Sequence, residues 1–446
     1  MTRREIDDYF AALPHFQPRK VKTTDEMFSL DALKNFLHRI GDPQNDLRYI
    51  HIGGTNGKGS TTAFLASVLR EAGLYVASFT SPALIDNREL YRIDGEVISE
   101  ESYDAVMSYL IQEREAMEKA GEKAPSEFEL YVCAAFLLFR QAGCQLVLME
   151  VAMGGRLDAT NVIPAPVLTI FTPIQYDHTE ILGNTLTEIA GEKAGILKAG
   201  TYCISAPQDP EALGVIEARC KKLGIPLEVA EPVDSLTSYH MRGEYQKVNA
   251  GTAACAARLI LEKLLPSEMK NERMSSDSIP REENIEEQIS SGLQMACWPG
   301  RFEIFQKKGF ATVVIDGAHN PQGIEALVSS IREEFPGRKI KFLMGVLGDK
   351  AVDKMIEEIL PLAFSIDLVT VPSPRALSKE DLEERILHII AEEDRLSRKD
   401  ILIHKHESIE EAVRYLWNQS SEEDVVCIFG SLYYIGIARR EVIRRS

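Results

Sequence analysis

Cysteine is scarce and irregularly placed in this chain of 446 residues. Its seven cysteines are odd in number, scattered, and never spaced as a C-x-x-C pair. This pattern argues against a disulfide framework and against a cysteine-based zinc site, and it is typical of reduced thiols in the cytosol. The seven are Cys133, Cys144, Cys203, Cys220, Cys255, Cys297 and Cys427.

The chain also lacks long apolar runs and an excess of positive charge. No stretch approaches the roughly 18 apolar residues of a membrane-spanning helix, and the N-terminus has no apolar core of signal-peptide length. The 50 basic residues are outnumbered by 68 acidic ones, giving a net charge of −18. Because no surplus of Lys and Arg is available to displace counterions from a phosphate backbone, nucleic acid is not an expected partner. We therefore expect a soluble cytoplasmic protein that binds neither membranes nor nucleic acid.

A glycine-rich loop is the strongest feature that is present. An apolar run at 50–53 leads into the loop, and a helical pattern at 63–70 follows it. In such a strand-loop-helix unit, backbone N–H groups and the helix N-terminus can bind a nucleotide phosphate, Lys58 can reach the outer phosphates, and Ser60 or Thr61 can bind Mg²⁺. Gly59 interrupts the standard P-loop pattern, so an ordinary glycine-rich turn is the alternative. The loop residues assigned to the nucleotide are Thr55, Asn56, Gly57, Lys58, Gly59, Ser60 and Thr61.

Polar residues follow several other predicted strands. Ser81 ends the strand at 74–79, Glu150 lies in the apolar run 145–153, and His178 follows the strand at 167–172. Ligands bind at the carboxyl ends of strands in open α/β sheets, so these positions are candidate sites. The alternatives are a frayed strand end for Glu150 and a structural histidine for His178.

The length of the chain exceeds what one hydrophobic core usually supports, so we expect two domains. Residues 266–288 are highly charged with few apolar side chains, which predicts a mobile insertion. After it, apolar strands alternate with helical patterns, and the first strand runs into a polar segment that begins at Asp316. We predict an α/β protein in which a P-loop-containing parallel-sheet ATPase domain, 1–297, precedes a smaller Rossmann-like α/β domain, 298–446. The predicted strands of the second domain are 312–315, 340–344, 366–371 and 425–429.

Seven motifs, in order along the chain, resemble those of folylpolyglutamate synthases, which are often bifunctional with dihydrofolate synthase and belong to the Mur ligase superfamily. The motifs are Gly54–Ser60, Thr80–Pro82, Leu148–Val151 with Gly154–Asn161, Asp177–Thr179, Glu192–Gly195, Pro299–Arg301 and Asp316–Pro321.

The resemblance implies ATP-dependent amide bond formation. The γ-phosphate would pass to a carboxylate of a reduced folate or of dihydropteroate, and the amine of L-glutamate would attack the acyl phosphate. It implies Mg²⁺, in two ions, allows a monovalent cation such as K⁺, and suggests a monomer.

The same resemblance assigns roles to individual residues. Ser81 and Glu150 would hold one metal ion, while His178 and a carbamylated Lys193 would engage a second. Lys58 and His319 would act on the transferred phosphate. Further nucleotide contacts would come from Asn249, Arg301 and Asp316, and substrate contacts from Phe28, Ser29, Leu30, Ser126, Glu127, Phe128, Glu129, Leu157, Asp158 and Ala159.

Two departures and two rival functions remain open. The family usually has a histidine at the position of Ala83 and a leucine at that of Tyr176, and both changes bear on pocket shape and substrate preference. A cell-wall Mur ligase would share the loop but needs an N-terminal domain, and only about fifty residues precede the loop. A non-catalytic nucleotide switch would need the loop but has no use for Glu150, His178 and Lys193 together.

For Lys193, the alternative to a carbamate is a plain cation that pairs with ATP or Glu192.

Overall fold

The computed structural model describes residues 1–13, 29–236, 238, 240–264, 284–348, 351–392 and 401–445. These residues form two compact units. One comprises Met1–Ser235 with Val248–Ala296, and the other comprises Leu236–Lys247 with Cys297–Ser446. We propose that the two units correspond to the predicted domains 1–297 and 298–446, with the segment Leu236–Lys247 added to the second.

The first unit is built on a sheet whose strand order is β4-β3-β2-β5-β1-β6-β7-β8. The strands from β2 to β8 in this order run parallel, and β3 and β4 add an antiparallel edge. All five residues of the central strand β1 are buried, as expected for a strand with helices on both faces of its sheet. The strands are β1 Tyr49–Gly53, β2 Val76–Phe79, β3 Tyr91–Ile93, β4 Glu96–Val97, β5 Leu146–Glu150, β6 Leu168–Phe171, β7 Tyr202–Ser205 and β8 Leu227–Val229.

Among the described residues, nine helices lie in this unit, and a tenth, α9, begins in the segment Leu236–Lys247 and continues into it. One of them, α5, is buried at every position from Leu130 to Phe139, and it forms much of the core with aromatic residues of the sheet such as Phe79 and Tyr91. The helices are α1 Arg3–Ala12, α2 Asp31–Arg39, α3 Lys58–Glu71, α4 Glu100–Lys119, α5 Glu127–Ala142, α6 Thr179–Leu182, α7 Leu186–Ala194, α8 Pro210–Leu223, α9 Tyr245–Leu259 and α10 Ile285–Met295.

The predicted insertion at 266–288 overlaps the first residues of helix α10. Residues 266–283 lie outside the described residues. Helix α10 begins at Ile285, whose side chain is buried, and Glu286 forms an ion pair with Arg258. Residues 285–288 of the predicted insertion therefore belong to a helix that packs into the first unit, and the mobility of the insertion stays a prediction.

The second unit contains a sheet with the strand order β13-β12-β11-β14-β10-β9. All its strand pairs are parallel except β9 with β10, so the prediction of a Rossmann-like α/β arrangement is confirmed. No helix in the described parts of either unit is long and apolar enough to span a membrane. The elements are β9 Glu303–Phe305, β10 Thr312–Ile315, α11 Pro321–Glu334, β11 Ile340–Met344, α12 Val352–Ile359, β12 Ala363–Leu368, α13 Lys379–Glu392, β13 Leu402–Lys405, α14 Ile409–Asn418, β14 Val425–Phe429 and α15 Leu432–Ile443.

We predict that Gly292→Ala lowers the free energy of unfolding by about 1–3 kcal/mol, the range of overpacked cores. A Cβ atom at Gly292 would lie 2.4 Å from the backbone Cα of Val68, so helices α10 and α3 would have to separate. The control is Gly214→Ala in α8, where a Cβ atom meets nothing within 4 Å. Because alanine favours a helix more than glycine does, Gly214→Ala should be neutral or stabilising. Urea unfolding of the full chain measures both, and equal stabilities for the two variants would contradict the close helix contact.

Candidate active site

The glycine-rich loop joins the carboxyl end of β1 to the start of α3. Two of its glycines have positive φ angles, +140° at Gly54 and +85° at Gly57. A Cβ atom on Gly54 would lie 2.0 Å from Oγ1 of Thr172, and one on Gly57 would lie 2.2 Å from Oδ1 of Asn249. Both positions therefore require glycine for conformation and for space. The loop is thus packed between the end of β6 and Asn249, which sequence reasoning had assigned to the nucleotide.

Two lysines meet at the carbonyl oxygen of Gly54. The Nζ atom of Lys193 donates to this oxygen at 2.8 Å, and Nζ of Lys58 lies 3.3 Å from it while donating to the carbonyl of Thr55 at 2.9 Å. Lys193 is buried, with 5% of its surface exposed. Burial, followed by the positive charge of Lys58, lowers the pKa of Lys193 to about 7, against weaker opposing effects from carboxylates. A substantial fraction of this amine is therefore unprotonated near neutral pH.

Lys193 is carried by α7, which lies unusually close to the loop that follows β5. A Cβ atom on Gly155 would be only 2.8 Å from the carbonyl oxygen of Lys193. Next to it, Arg156 donates from its backbone N–H to the carbonyl of Glu192 at 2.8 Å and from its guanidinium to the Glu192 carboxylate at 2.9 Å. The Glu192 carboxylate thus pairs with Arg156, whereas the Lys193 amine is directed toward the glycine-rich loop.

The other predicted metal ligands lie at the ends of neighbouring strands. Glu150 is the last residue of β5, is buried, and is paired in register with Ile52 of β1, while Ser81 follows β2. His178 has a φ angle of +50°, and its Nε2 atom lies 3.8 Å from the carboxylate of Asp177. Within the described ranges, no group of three His, Cys, Asp or Glu side chains is arranged to hold a metal ion. The predicted set contains only two residues of those types, so its role as a metal site stays a prediction.

No predicted site residue lies among residues 173–175, yet hydrogen bonds to this segment hold the glycine-rich loop. Thr55 donates its backbone N–H to the carbonyl of Pro173 at 2.9 Å, and its hydroxyl accepts from the backbone N–H of Gln175 at 3.0 Å. The side-chain amide of Asn56 donates to Oε1 of Gln175 at 2.7 Å. The available signal was the position of Gln175 soon after the end of a buried parallel strand, where polar groups often have functional roles.

Asp158, predicted to bind substrate, has a structural role in this molecule. Its buried carboxylate accepts from the backbone N–H of Met153 at 2.9 Å and from the backbone N–H and hydroxyl of Thr160 at 2.9 and 2.6 Å. Because the Thr160 hydroxyl donates to Asp158, it accepts from Nε2 of His51, 2.9 Å away. Burial raises the pKa of Asp158 despite these donors, and it lowers the pKa of His51 to about 3. Direct contact of Asp158 with substrate remains a prediction.

The remaining predicted substrate residues differ in their surroundings. Ala159 belongs to the hydrophobic core of the first unit, and Leu30 and Phe128 pack against that core. Ser126 and Glu129 form a reciprocal cap at the start of α5, in which the Glu129 carboxylate accepts from the backbone N–H of Ser126 at 2.7 Å. The hydroxyl of Ser29 donates to the carboxylate of Asp31, and Glu127 accepts from the hydroxyl of Tyr131. Leu157 precedes Asp158 in the chain, and Phe28 lies outside the described residues.

In the second unit, Arg301, Asp316 and His319 form one cluster. The buried carboxylate of Asp316 accepts from the backbone N–H groups of Phe302 and Ala318, each at 2.7 Å. A Cβ atom on Gly317 would lie 1.8 Å from the Arg301 guanidinium, so that side chain crosses over the glycine. Nδ1 of His319 is 2.8 Å from the carbonyl of Gly317. Asp316 therefore shapes this turn, and nucleotide contacts from the cluster remain predictions.

The chain is similar to known proteins over both compact units. Residues 52–222 match the family model of the Mur ligase middle domain, and residues 300–432 match that of the Mur ligase, glutamate ligase domain. The chain is 32% identical over 441 residues to the dihydrofolate synthase/folylpolyglutamate synthase of Bacillus subtilis, covering 93% of this chain and 94% of the relative. It is 34% identical over 354 residues to the dihydrofolate synthetase of Saccharomyces cerevisiae, covering 74% and 78%. The crystal structure of Mycobacterium tuberculosis folylpolyglutamate synthase complexed with ADP and AMPPCP superposes with a TM-score of 0.80 at 25% identity, covering 98% and 97%.

We predict that His51→Gln removes part of the acid sensitivity of folding. The pKa of His51 is about 3 in the folded protein and 6.5 for the unperturbed side chain, so between these values the unfolded state binds more protons. Stability therefore falls as the pH falls through this window, by up to about 1.4 kcal/mol per pH unit. Glutamine keeps an N–H donor for Thr160 but does not titrate.

Urea unfolding between about pH 7 and pH 5 measures this difference, with His388→Gln on the exposed surface of α13 as control. Wild type and His388→Gln should lose stability in parallel, and His51→Gln should lose less. The same pH dependence in all three proteins would contradict a buried neutral His51.

Proposed function

The chain belongs to the folylpolyglutamate synthase/dihydrofolate synthase family of Mur ligases, and from this we propose that it joins L-glutamate to a reduced folate at the expense of ATP. It is an ATP-dependent ligase of the acid–amino-acid type. We propose dihydropteroate as a second acceptor of glutamate, because both folate activities are named among the relatives. Neither the cell-wall ligase nor the nucleotide switch is favoured, since the relatives that match most of the chain are folate enzymes.

The observation that carries this proposal is the meeting of Lys58 and Lys193 at the glycine-rich loop. The N-terminus of α3 offers backbone N–H groups and a partial positive charge to the phosphates of ATP. Lys58 now donates to two loop carbonyls, and we infer that the outer phosphates replace these partners when ATP binds. Its ammonium then balances the charge that spreads over the phosphoryl group during transfer to the folate carboxylate.

The donor atoms near the loop fit the Mg²⁺ that the family resemblance implies. The hydroxyl of Thr61 is buried without a hydrogen-bond partner among the described residues, and Glu150 is a buried carboxylate at the adjacent strand end. Hydroxyl and carboxylate oxygens are ligands that Mg²⁺ prefers. We propose that Ser81, Glu150 and Ser60 or Thr61 hold one ion, and that His178 and Lys193 serve a second. Such ions would neutralise phosphate charge, and K⁺ remains a further prediction.

For the phosphoryl-transfer step, we propose that an oxygen of the folate carboxylate attacks the γ-phosphorus and displaces ADP, which forms the acyl phosphate. The glutamate amine then attacks the acyl carbon, phosphate leaves, and the amine loses a proton. We assign Arg301, Asp316 and His319 to the nucleotide side of this chemistry, and Leu30, Phe128 and Ala159 to the folate side. We also propose that the protein is a cytoplasmic monomer that binds no membrane, and its acidic net charge argues against binding to nucleic acid.

The central test is glutamate-dependent ATP hydrolysis, run with tetrahydrofolate and with dihydropteroate side by side. Wild type should form ADP and the glutamylated product in equal amounts. Lys58→Ala should lower kcat by roughly 100-fold or more, the scale of a lost transition-state donor, without changing the melting temperature.

Lys222→Ala removes an exposed lysine of α8 and is the matched control, which should keep wild-type turnover. Turnover without glutamate, or no turnover with either folate compound, would contradict the proposed function. A normally folded Lys58→Ala protein with near wild-type kcat would contradict the role of Lys58.

We further propose that Lys193 works as a carbamate. An unprotonated amine is needed to react with CO₂, and the pKa of Lys193, lowered to about 7 by burial and by Lys58, supports this reaction. The product is an anionic oxygen ligand on a long arm, suited to Mg²⁺. The alternative of an ion pair with Glu192 is less favoured, because Glu192 pairs with Arg156.

Lys193→Ala should be severely impaired and partly rescued by acetate, which supplies carboxylate oxygens. Lys193→Arg keeps a positive charge but cannot form the carbamate, so it should be as inactive as the alanine variant. The measurement is ligation rate with and without acetate, with Lys222→Ala as the unaffected control. Full activity in Lys193→Arg would favour a plain cation and rule out the carbamate.

A further inference from the structure

The glycine-rich loop, which we propose binds phosphate, is hydrogen-bonded to the segment that follows β6. We call residues Pro173, Ile174 and Gln175 the seat segment. The backbone N–H groups of Thr55 and Asn56 both donate to the carbonyl of Pro173, at 2.9 and 3.4 Å. The Thr55 hydroxyl adds a further link, at 3.1 Å to the carbonyl of Gln175. The position of the glycine-rich loop therefore depends on where the seat segment lies.

Gln208 braces the seat segment on its other side. Its Oε1 atom accepts from the backbone N–H of Ile174 at 2.8 Å, and its Nε2 atom donates to the carbonyl of Thr172 at 3.0 Å and to the hydroxyl of Ser205 at 3.2 Å. The backbone of the segment is thus held from β6 and β7. Against this fixed backbone, the side chain of Gln175 reaches the glycine-rich loop by accepting from Asn56 at 2.7 Å.

The seat segment continues directly into Tyr176, Asp177 and His178. His178 has a left-handed backbone, and its N–H donates to the Asp177 carboxylate at 2.9 Å, so the bend after Gln175 is fixed locally. Asp177 is also close enough to Lys193 to influence its charge. One short stretch of chain therefore contacts the phosphate-binding loop at one end and carries His178 at the other.

We propose that Gln175 is a positioning residue for nucleotide binding, which orders Asn56 and the glycine-rich loop before ATP arrives. The proposal rests on the proposed function only in taking this loop as the nucleotide site. None of the seven family motifs includes Gln175. Because the side chain contacts Asn56 and not the reacting groups, its effect should appear in nucleotide affinity before it appears in the chemical step.

Removing this hydrogen bond should weaken the binding of ADP and raise KM for ATP about fivefold, within the range of one net hydrogen bond. The free loop would then sample more conformations, and binding would have to order it. KM for glutamate and the melting temperature should not change, since the backbone links of Thr55 and Asn56 to Pro173 remain.

The experiment compares Gln175→Ala with Gln145→Ala by calorimetric titration of ADP and by steady-state kinetics. Gln145 is also half-buried and accepts a backbone N–H, that of Tyr75 at 2.8 Å, but it precedes β5 and so lies at the opposite end of the sheet. Gln145→Ala should leave the ADP affinity unchanged. A general loss of packing would affect the melting temperature of both variants, whereas a positioning role predicts a selective change in nucleotide affinity for Gln175→Ala.

A double-mutant cycle with Asn56→Ala identifies the pathway. If Gln175 acts through Asn56, the double variant should bind ADP no more weakly than Asn56→Ala alone. Fully additive losses, or wild-type ADP affinity in Gln175→Ala, would overturn the proposal.

The ADP titration needs neither folate nor glutamate, so the two proposals can fail separately. If wild type binds ADP but does not ligate glutamate, the proposed function fails and the Gln175 comparison still decides this inference. If wild type does not bind ADP, both fail.

Discussion

The carbonyl oxygen of Gly54 is the point on which the candidate site depends, because two lysine side chains converge on it. Lys193 reaches it at 2.8 Å and Lys58 approaches within 3.3 Å. Burial disfavours the charged form of Lys193, and repulsion from the nearby Lys58 ammonium adds to this effect, so the pKa of Lys193 is lowered. The arrangement thus places the Lys58 side chain at the glycine-rich loop and, beside it, the Lys193 amine, whose pKa is lowered. Under the proposed function, the outer phosphates of ATP would replace the Gly54 carbonyl as a partner of Lys58.

Close backbone approach makes this convergence possible. Gly54 lies against Thr172, Gly57 against Asn249, and Gly155 against the carbonyl of Lys193, each at a distance that a Cβ atom would prevent. Within the first unit, the buried carboxylate of Asp158 accepts two backbone N–H groups and fixes the loop after β5. Within the second unit, the carboxylate of Asp316 does the same after β10. Such carboxylates shape these loops by satisfying backbone donors that burial would otherwise leave unpaired. Reactive groups and loop-holding groups therefore share the carboxyl ends of the strands.

Local signals predicted much of the fold, and contacts between distant residues account for what was missed. The apolar runs predict strands at 312–315, 340–344 and 425–429, and β10, β11 and β14 have these bounds. Helix α1 was missed although Thr2 and Glu5 form a capping box, and β12 ends at Leu368, before the predicted 371, where its pairing with β13 ends. In the site, motif resemblance indicated the loop and Lys193. The role of Gln175 and the burial of Asp158 depend on partners that no local pattern specifies.

The most direct test of this account is the pKa of Lys193, measured in CO₂-free buffer by NMR titration of labelled lysine side chains, with Lys193→Arg to assign the signal. The account predicts a titration midpoint near the value of about 7 that burial and Lys58 impose, and a higher midpoint in Lys58→Met. A Lys193 ammonium that stays protonated to about pH 10, the ordinary range for lysine, would contradict it, because neither the reactive amine nor its dependence on Lys58 would then exist.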